Sequence, residues 1–178
     1  MLSLDYFFQC EFFSYYRLTG FGRTNQFREV IVDQILTAST TAAIAGPIEE
    51  QIRFRQSAYS FAAWNIGKIK SQVVDHPETF NKDAVAAAAN AIAAVANSGL
   101  GALYGEGTDQ GVGWKQTRLK PEFFQKKDEV TVAANAFNVA ANELAKVAAT
   151  GDVNAIKAQF GKVGESCKGC HDLIRIKE

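Results

Sequence analysis

Three residues with reactive or metal-binding side chains lie within five consecutive positions of the 178-residue chain: Cys167, Cys170 and His171, in the segment CKGCH. Positions i, i+3 and i+4 lie on one face of a helix, so this spacing places two thiols and an imidazole side by side. A Cys-x-x-Cys-His sequence is the attachment motif of c-type haem. Its thiols can add to the two vinyl groups along one edge of the porphyrin, while the imidazole binds the iron. The motif therefore predicts one covalent haem c, with thioethers at both cysteines and His171 as the metal ligand.

Three other interpretations of the motif are open. A redox-active Cys-x-x-Cys pair lies at the start of a helix that follows a strand, and no alternation of strands and helices is apparent here. A structural zinc site requires four nitrogen or sulfur ligands. Beyond the motif, the chain offers one more cysteine, Cys10, and one more histidine, His76. The third interpretation is a chance match in a protein without a metal.

The elements that must position the motif are predicted to be helices. Alanine has the highest helix propensity and dominates runs such as AVAAAANAIAAVA. The chain has only three prolines, at positions 47, 77 and 121, and they lie between the alanine-rich segments. Asn81 and Asp152 are the predicted N-caps, Pro121 suits a first turn, and Gly151 ends the third helix. The four predicted helices cover residues 48–74, 82–98, about 121–150 and 152 to nearly 178.

The arrangement of these helices is predicted from their spacing and from one apolar stripe. The connections within the first and the second pair are short, whereas a link with six glycines between positions 99 and 113 joins the two pairs. This pattern predicts an all-α fold, an antiparallel up-down four-helix bundle, in which a gap between helices provides the broad apolar slot that haem requires. The third helix carries apolar residues at steps of three and four, typical of a bundle seam: Val130, Ala134, Phe137, Ala141, Leu144 and Ala148.

Charge and hydropathy restrict the partners. Lysine plus arginine and aspartate plus glutamate number 19 each, without a basic block, so no nucleic-acid partner is expected. No run of 18 apolar residues occurs, so stable membrane insertion is not expected.

The chain is expected to divide into two parts, residues 1–45 and residues 46–178. The first part is rich in aromatic residues, and AIA at positions 43–45 fits a secretory cleavage site. We therefore expect export to the periplasm with cleavage after Ala45. Two alternatives are an ordinary N-terminal helix and a non-native extension over residues 1–27.

Residues 46–178 resemble the cytochrome c′ family of four-helix-bundle haem proteins. The resemblance depends on IRFRQSAYSF in the first helix, ALYGEGTD followed by Trp114 in the link, and FGKVGESCKGCHDLIR in the fourth helix. It implies a haem protein that binds gases or transfers electrons, and a possible homodimer formed through the first and second helices. It also implies further haem-contacting residues.

Four residues acquire roles from this resemblance alone. Arg55 and Gln56 match positions near the propionates and the haem edge, Tyr59 matches the distal position, and Arg175 would lie beside the proximal imidazole. The alternative for Arg55 is a solvated surface arginine. The alternative for Arg175 is a cation at a helix end that interacts with the helix dipole.

The sixth position of the iron is expected to have no protein ligand. Met1 is the only methionine and lies in the segment expected to be removed, and His76 falls in the turn after the first helix. Tyr59 stays protonated near neutral pH and is then a poor ligand. The expectation is high-spin, five-coordinate iron that binds small uncharged gases, NO and CO. The alternative is a soluble electron carrier with an unidentified redox partner. An enzyme of the peroxidase type would need a distal histidine–arginine pair, so we expect no catalytic activity.

Covalent attachment can be tested directly. Acid–acetone treatment should leave the haem on the protein, because thioether bonds survive this extraction, and haem staining after denaturing electrophoresis measures it. Replacing Cys167 and Cys170 together by alanine should abolish the staining, whereas Cys10→Ala should leave it unchanged. Extraction of the haem from the original protein would contradict covalent attachment.

Overall fold

The computed structural model describes residues 47–177. The expected cleavage site after Ala45, Met1 and Cys10 all lie outside the described residues, so the expectations that concern them stay predictions. The described part contains four α-helices and no β-strand, only two isolated bridges. The helices are α1 (Ile48–Lys70), α2 (Lys82–Ala96), α3 (Lys127–Thr150) and α4 (Val153–Ile174).

Consecutive helices pack against one another, α1 on α2, α2 on α3 and α3 on α4. The predicted all-α, up-down four-helix bundle is therefore confirmed. Among residues 47–177, no helix is long and apolar enough to span a membrane.

The predicted caps form as local hydrogen bonds. The Asn81 side chain accepts a hydrogen bond from the Ala84 amide at 2.9 Å, and the Asp152 carboxylate accepts two from the first turn of α4. Gly151 ends α3 in the left-handed region, with φ of 80°. A side chain there would be strained and would also lie 2.9 Å from Lys82 Cδ, so the turn between α3 and α4 requires glycine.

The first helix ends close to the predicted residue 74: its α-helical part ends at Lys70 and continues as a single π-helical turn, Ser71–Asp75. The predicted start of the third helix is wrong because of local backbone geometry. Pro121 begins a separate 3₁₀ turn, Pro121–Gln125, and α3 starts only at Lys127.

Two further helix ends differ from the prediction. The second helix ends at Ala96, two residues earlier than predicted, and Gly99 then adopts the left-handed region with φ of 75°. The fourth helix ends at Ile174 rather than near residue 178. There Arg175 becomes extended and its segment pairs with the end of the link.

The bundle is filled at one end and open at the other. Along the predicted seam of α3, Ala141, Leu144 and Ala148 are fully buried, whereas Val130, Ala134 and Phe137 line a cavity. The residues that fill the closed end come from all four helices: Ile69, Val73, Val85, Ile92, Leu144, Ile156 and Val163. One stripe of α3 thus supplies both the core and a wall of the site.

Candidate functional site

A cavity of about 1280 Å³ lies at the open end, between α1, α3, α4 and the link that joins α2 to α3. It exceeds the roughly 300–1,000 Å³ of ordinary small-molecule sites, so a large planar group fits its size. All seven site residues that the sequence predicted line this one cavity: Arg55, Gln56, Tyr59, Cys167, Cys170, His171 and Arg175.

Cys167 and Cys170 lie on α4 as half-buried free thiols. Burial raises the pKa of both thiols above the usual value, and for Cys170 the neighbouring Cys167 adds to the effect. Redox-active cysteines have lowered pKa values and reactive thiolates. The environment of these thiols therefore disfavours the redox interpretation of the motif.

His171 lies one residue further along α4, with its side chain exposed at the cavity wall. Within residues 47–177, no three His, Cys, Asp or Glu side chains converge as metal ligands, so the described residues offer no zinc site. The other histidine, His76, does not line the cavity, and its ring lies 3.4 Å from the Glu78 carboxylate. Two thiols and one imidazole on a single cavity wall are the donor set that a covalent haem needs.

From Tyr59 onward, α1 lines the cavity with the four residues that the sequence indicated, Tyr59, Ala62, Ala63 and Ile66, and also with Ser60. Burial raises the pKa of the Tyr59 phenol, which keeps it protonated at neutral pH. Its hydroxyl accepts a hydrogen bond from the Tyr104 hydroxyl, 3.3 Å away. This stretch of α1 therefore lines the cavity with apolar side chains, one neutral phenol and one serine.

Arg55 is buried and is not the solvated surface residue considered as an alternative. Its terminal nitrogens donate to Leu103 O at 3.1 Å, Thr108 Oγ1 at 2.9 Å, Thr108 O and Thr117 Oγ1 at 2.7 Å. Burial lowers the pKa of the guanidinium, but arginine remains charged in proteins. Four N–H groups of Arg55 thus hold the link against α1, and the contact with a propionate stays a prediction.

Gln56 makes a second connection between α1 and the link. Its amide nitrogen donates to Lys115 O at 2.9 Å, and its carbonyl accepts from the Trp114 amide at 2.7 Å. The backbones of the link and α1 approach closely here, since a Cβ at Gly113 would lie 2.7 Å from the backbone nitrogen of Arg53. Gln56 therefore shapes the rim of the cavity from the α1 side.

Arg175 follows the last residue of α4, and its backbone pairs with Leu119. The cation that meets the exposed carbonyls of this helix end is Lys120, whose Nζ donates to Asp172 O at 2.9 Å and Leu173 O at 3.3 Å. Lys120 thus interacts with this helix end, and the helix-end role considered for Arg175 stays a prediction. The role beside the imidazole stays a prediction.

The sequence assigned no role to Tyr104 or Phe123, although both line the cavity. Tyr104 lies in ALYGEGTD, the segment that carries the resemblance in the link, so an aromatic residue among glycines was a usable signal. Phe123 had no such signal, since it is brought to the site by the 3₁₀ turn before α3.

The family model described as Cytochrome C′ matches residues 50–175. The chain belongs to the cytochrome c′ family. Cytochrome c′ from Allochromatium vinosum is 53% identical over 142 residues, which are 80% of this chain and 90% of that protein. Cytochrome c′ from Rhodocyclus tenuis is 54% identical over 130 residues, 73% of this chain and 96% of that protein.

Solved structures agree with the sequence relatives. A cytochrome c′ with an unusual ligand-controlled dimer dissociation is 53% identical, covers 74% of this chain and 98% of its own, and has a TM-score of 0.70. The nitric oxide complex of a mutant cytochrome c prime from Alcaligenes xylosoxidans is 27% identical, covers 75% and 98%, and has a TM-score of 0.65. Proteins of the cytochrome c′ family carry one covalently attached c-type haem, and haem c is accordingly the cofactor of this chain.

The anchoring role of Arg55 can be tested with a conservative substitution. Arg55→Lys should lower the free energy of unfolding by about 1.5–3 kcal/mol, because an ammonium cannot reproduce the planar set of charged hydrogen bonds. Denaturant unfolding of the haem-loaded protein measures the change. Arg53→Lys is the matched control on the same helix, since Arg53 is exposed, and it should stay within about 0.5 kcal/mol. Equal effects of the two substitutions would contradict the anchoring role.

Proposed function

We propose that this cytochrome c′ family member binds small uncharged gases, NO and CO, at a high-spin haem whose iron has a single protein ligand. The observation that carries the proposal is the stretch of α1 that lines the cavity. Tyr59, Ala62, Ala63 and Ile66 offer no thioether, imidazole or carboxylate to an iron. A site without a competing protein ligand is open to a diatomic molecule.

The residues of α4 have distinct roles in this proposal. Cys167 and Cys170 form the thioethers, and their protonated state leaves each thiol with the hydrogen that addition to a vinyl group requires. His171 supplies the proximal nitrogen. When bound, the haem supplies the iron to which a gas coordinates, and axial ligation and the distal pocket control that binding.

The charge of the pocket favours neutral ligands. Arg55 is the buried cation beside Tyr59 and Tyr104, and its four terminal N–H groups donate to the link. An anion entering the cavity would therefore lose hydration without gaining those donors. NO and CO bring no charge, and a related protein has been crystallised as its nitric oxide complex.

Export to the periplasm and the absence of catalysis belong to the same proposal. The AIA segment at positions 43–45 supports export, and it lies outside the described residues. Electron transfer to an unidentified partner is the alternative role, and the midpoint potential with a partner-reduction assay would separate the two.

A homodimer formed through α1 and α2 is also proposed. Phe54, Phe61 and Trp64 recur at steps of seven and three along α1 and are 56%, 50% and 59% exposed. Such spacing places them on one helix face, and exposed apolar patches mark interaction surfaces. The related structure with ligand-controlled dimer dissociation supports the formation of a dimer.

The state of the iron tests the main proposal. At neutral pH the ferrous protein should give a five-coordinate, high-spin resonance Raman spectrum and should take up added CO, because no side chain of the α1 wall ligates the iron. A six-coordinate, low-spin spectrum without added ligand would contradict the proposal. His76→Ala is the control, and a return to high spin in this variant would identify His76 as the unexpected ligand.

The dimer is tested by charge insertion on the exposed face of α1. Phe61→Lys should shift the protein from dimer to monomer in sedimentation equilibrium, because it would bury an unpaired ammonium in the interface. Val139→Lys is the matched control on α3, where Val139 is 68% exposed. Dissociation by both variants, or by neither, would refute an interface at α1.

A further inference from the structure

Tyr104 is held on both sides of its ring. The Arg55 guanidinium lies 4.7 Å from the ring centroid, and the Phe123 ring stacks on it at 4.9 Å with 19° between the planes. Arg55 is itself fixed by its hydrogen bonds to Leu103, Thr108 and Thr117. The ring of Tyr104 is therefore positioned by contacts that do not involve Tyr59.

Tyr59 is less constrained. Its side chain projects from α1 and is 37% exposed, and within residues 47–177 its one polar contact is the hydroxyl pair with Tyr104. The separation of 3.3 Å exceeds the roughly 2.5–3.0 Å of strong O–H···O bonds, so the contact is a weak one. The Tyr59 phenol, with one weak polar contact, is thus paired at the cavity wall with a tyrosine ring that two other side chains position.

We propose that Tyr104 is a positioning residue for Tyr59 and thereby a determinant of gas affinity. Its hydroxyl holds the Tyr59 phenol against the link, so that a ligand entering on the α1 side must displace the ring and also break the hydroxyl pair. The inference rests on the proposed function, because it assumes that a gas binds on the Tyr59 side of the cavity.

The inference assigns a specific effect to a single oxygen atom. Tyr104→Phe keeps the ring between Arg55 and Phe123 and removes only the hydroxyl. A neutral hydrogen bond contributes little in net terms, so CO should bind the variant about two- to fivefold more tightly, mostly through faster association.

The test is a double-substitution cycle on the haem-loaded ferrous protein with CO as the probe. Equilibrium affinity and association rate are measured for the original protein, Tyr104→Phe, Tyr59→Phe and the double variant. If the hydrogen bond between the two hydroxyls limits CO binding, Tyr104→Phe raises CO affinity in the original protein. It leaves CO affinity unchanged in the Tyr59→Phe background, because the partner hydroxyl is already absent. The same increase in both backgrounds would overturn the inference.

Ser57→Ala is the matched control for a general loosening of the link. It removes another side-chain hydrogen bond between α1 and the link, the 2.7 Å contact from Trp114 Nε1 to Ser57 Oγ, without touching either tyrosine. We expect CO affinity to stay within about 1.5-fold of the original, whereas an increase equal to that of Tyr104→Phe would overturn the inference. Thermal unfolding midpoints, recorded alongside, show whether stability and affinity change independently.

The remaining outcomes are also decisive. CO binding that is unaffected by Tyr104→Phe overturns this inference alone, whereas a protein that takes up no CO overturns the proposed function as well. If Tyr104→Phe does not yield haem-loaded protein, Tyr59→Phe removes the same pair from the other side, and unchanged affinity in that variant overturns the inference.

Discussion

The hydrogen bonding of one buried arginine determines the shape of the open end of this bundle. A guanidinium removed from water is costly unless its donors are satisfied, and Arg55 satisfies four of them with carbonyl and hydroxyl oxygens of the link. These acceptors come from residues 103–117, which contain no long helix that could place them independently. The charged side chain of Arg55 therefore fixes the link against α1, and the link in turn forms one wall of the cavity.

The closed end is stabilised by different physics. Ala88, Ala89, Ala141 and Ala148 are 0–1% exposed and allow α2 and α3 to approach closely, while larger aliphatic residues fill the remaining space. At the open end the same stripe of α3 lines the cavity instead. The division allows a large apolar site to exist beside a tightly packed core.

The sequence predicted best what depends on local spacing. The motif around Cys167 and the caps at Asn81 and Asp152 involve neighbours within four positions, so the order of residues along the chain was sufficient to predict them. The end of α4 was wrong because it depends on pairing with Leu119, far away in sequence. The partners of Arg55 and the contact between Tyr59 and Tyr104 were not predictable either, since each joins residues about 45 or more positions apart.

The pairing of Leu119 with Arg175 also affects the order in which the two ends of the bundle form during folding. Two helix pairs, α1 with α2 and α3 with α4, are each joined by a short turn at the core end, such as the turn at Gly151. Closing the cavity end requires contacts across much longer stretches of chain, Arg55 to Thr117 and Leu119 to Arg175, and the entropy lost on closure grows with loop length. Chain entropy therefore favours the two helix pairs at the core end forming first. Cys167 and Cys170 lie towards the end that closes last, where their thiols remain accessible for longest during folding.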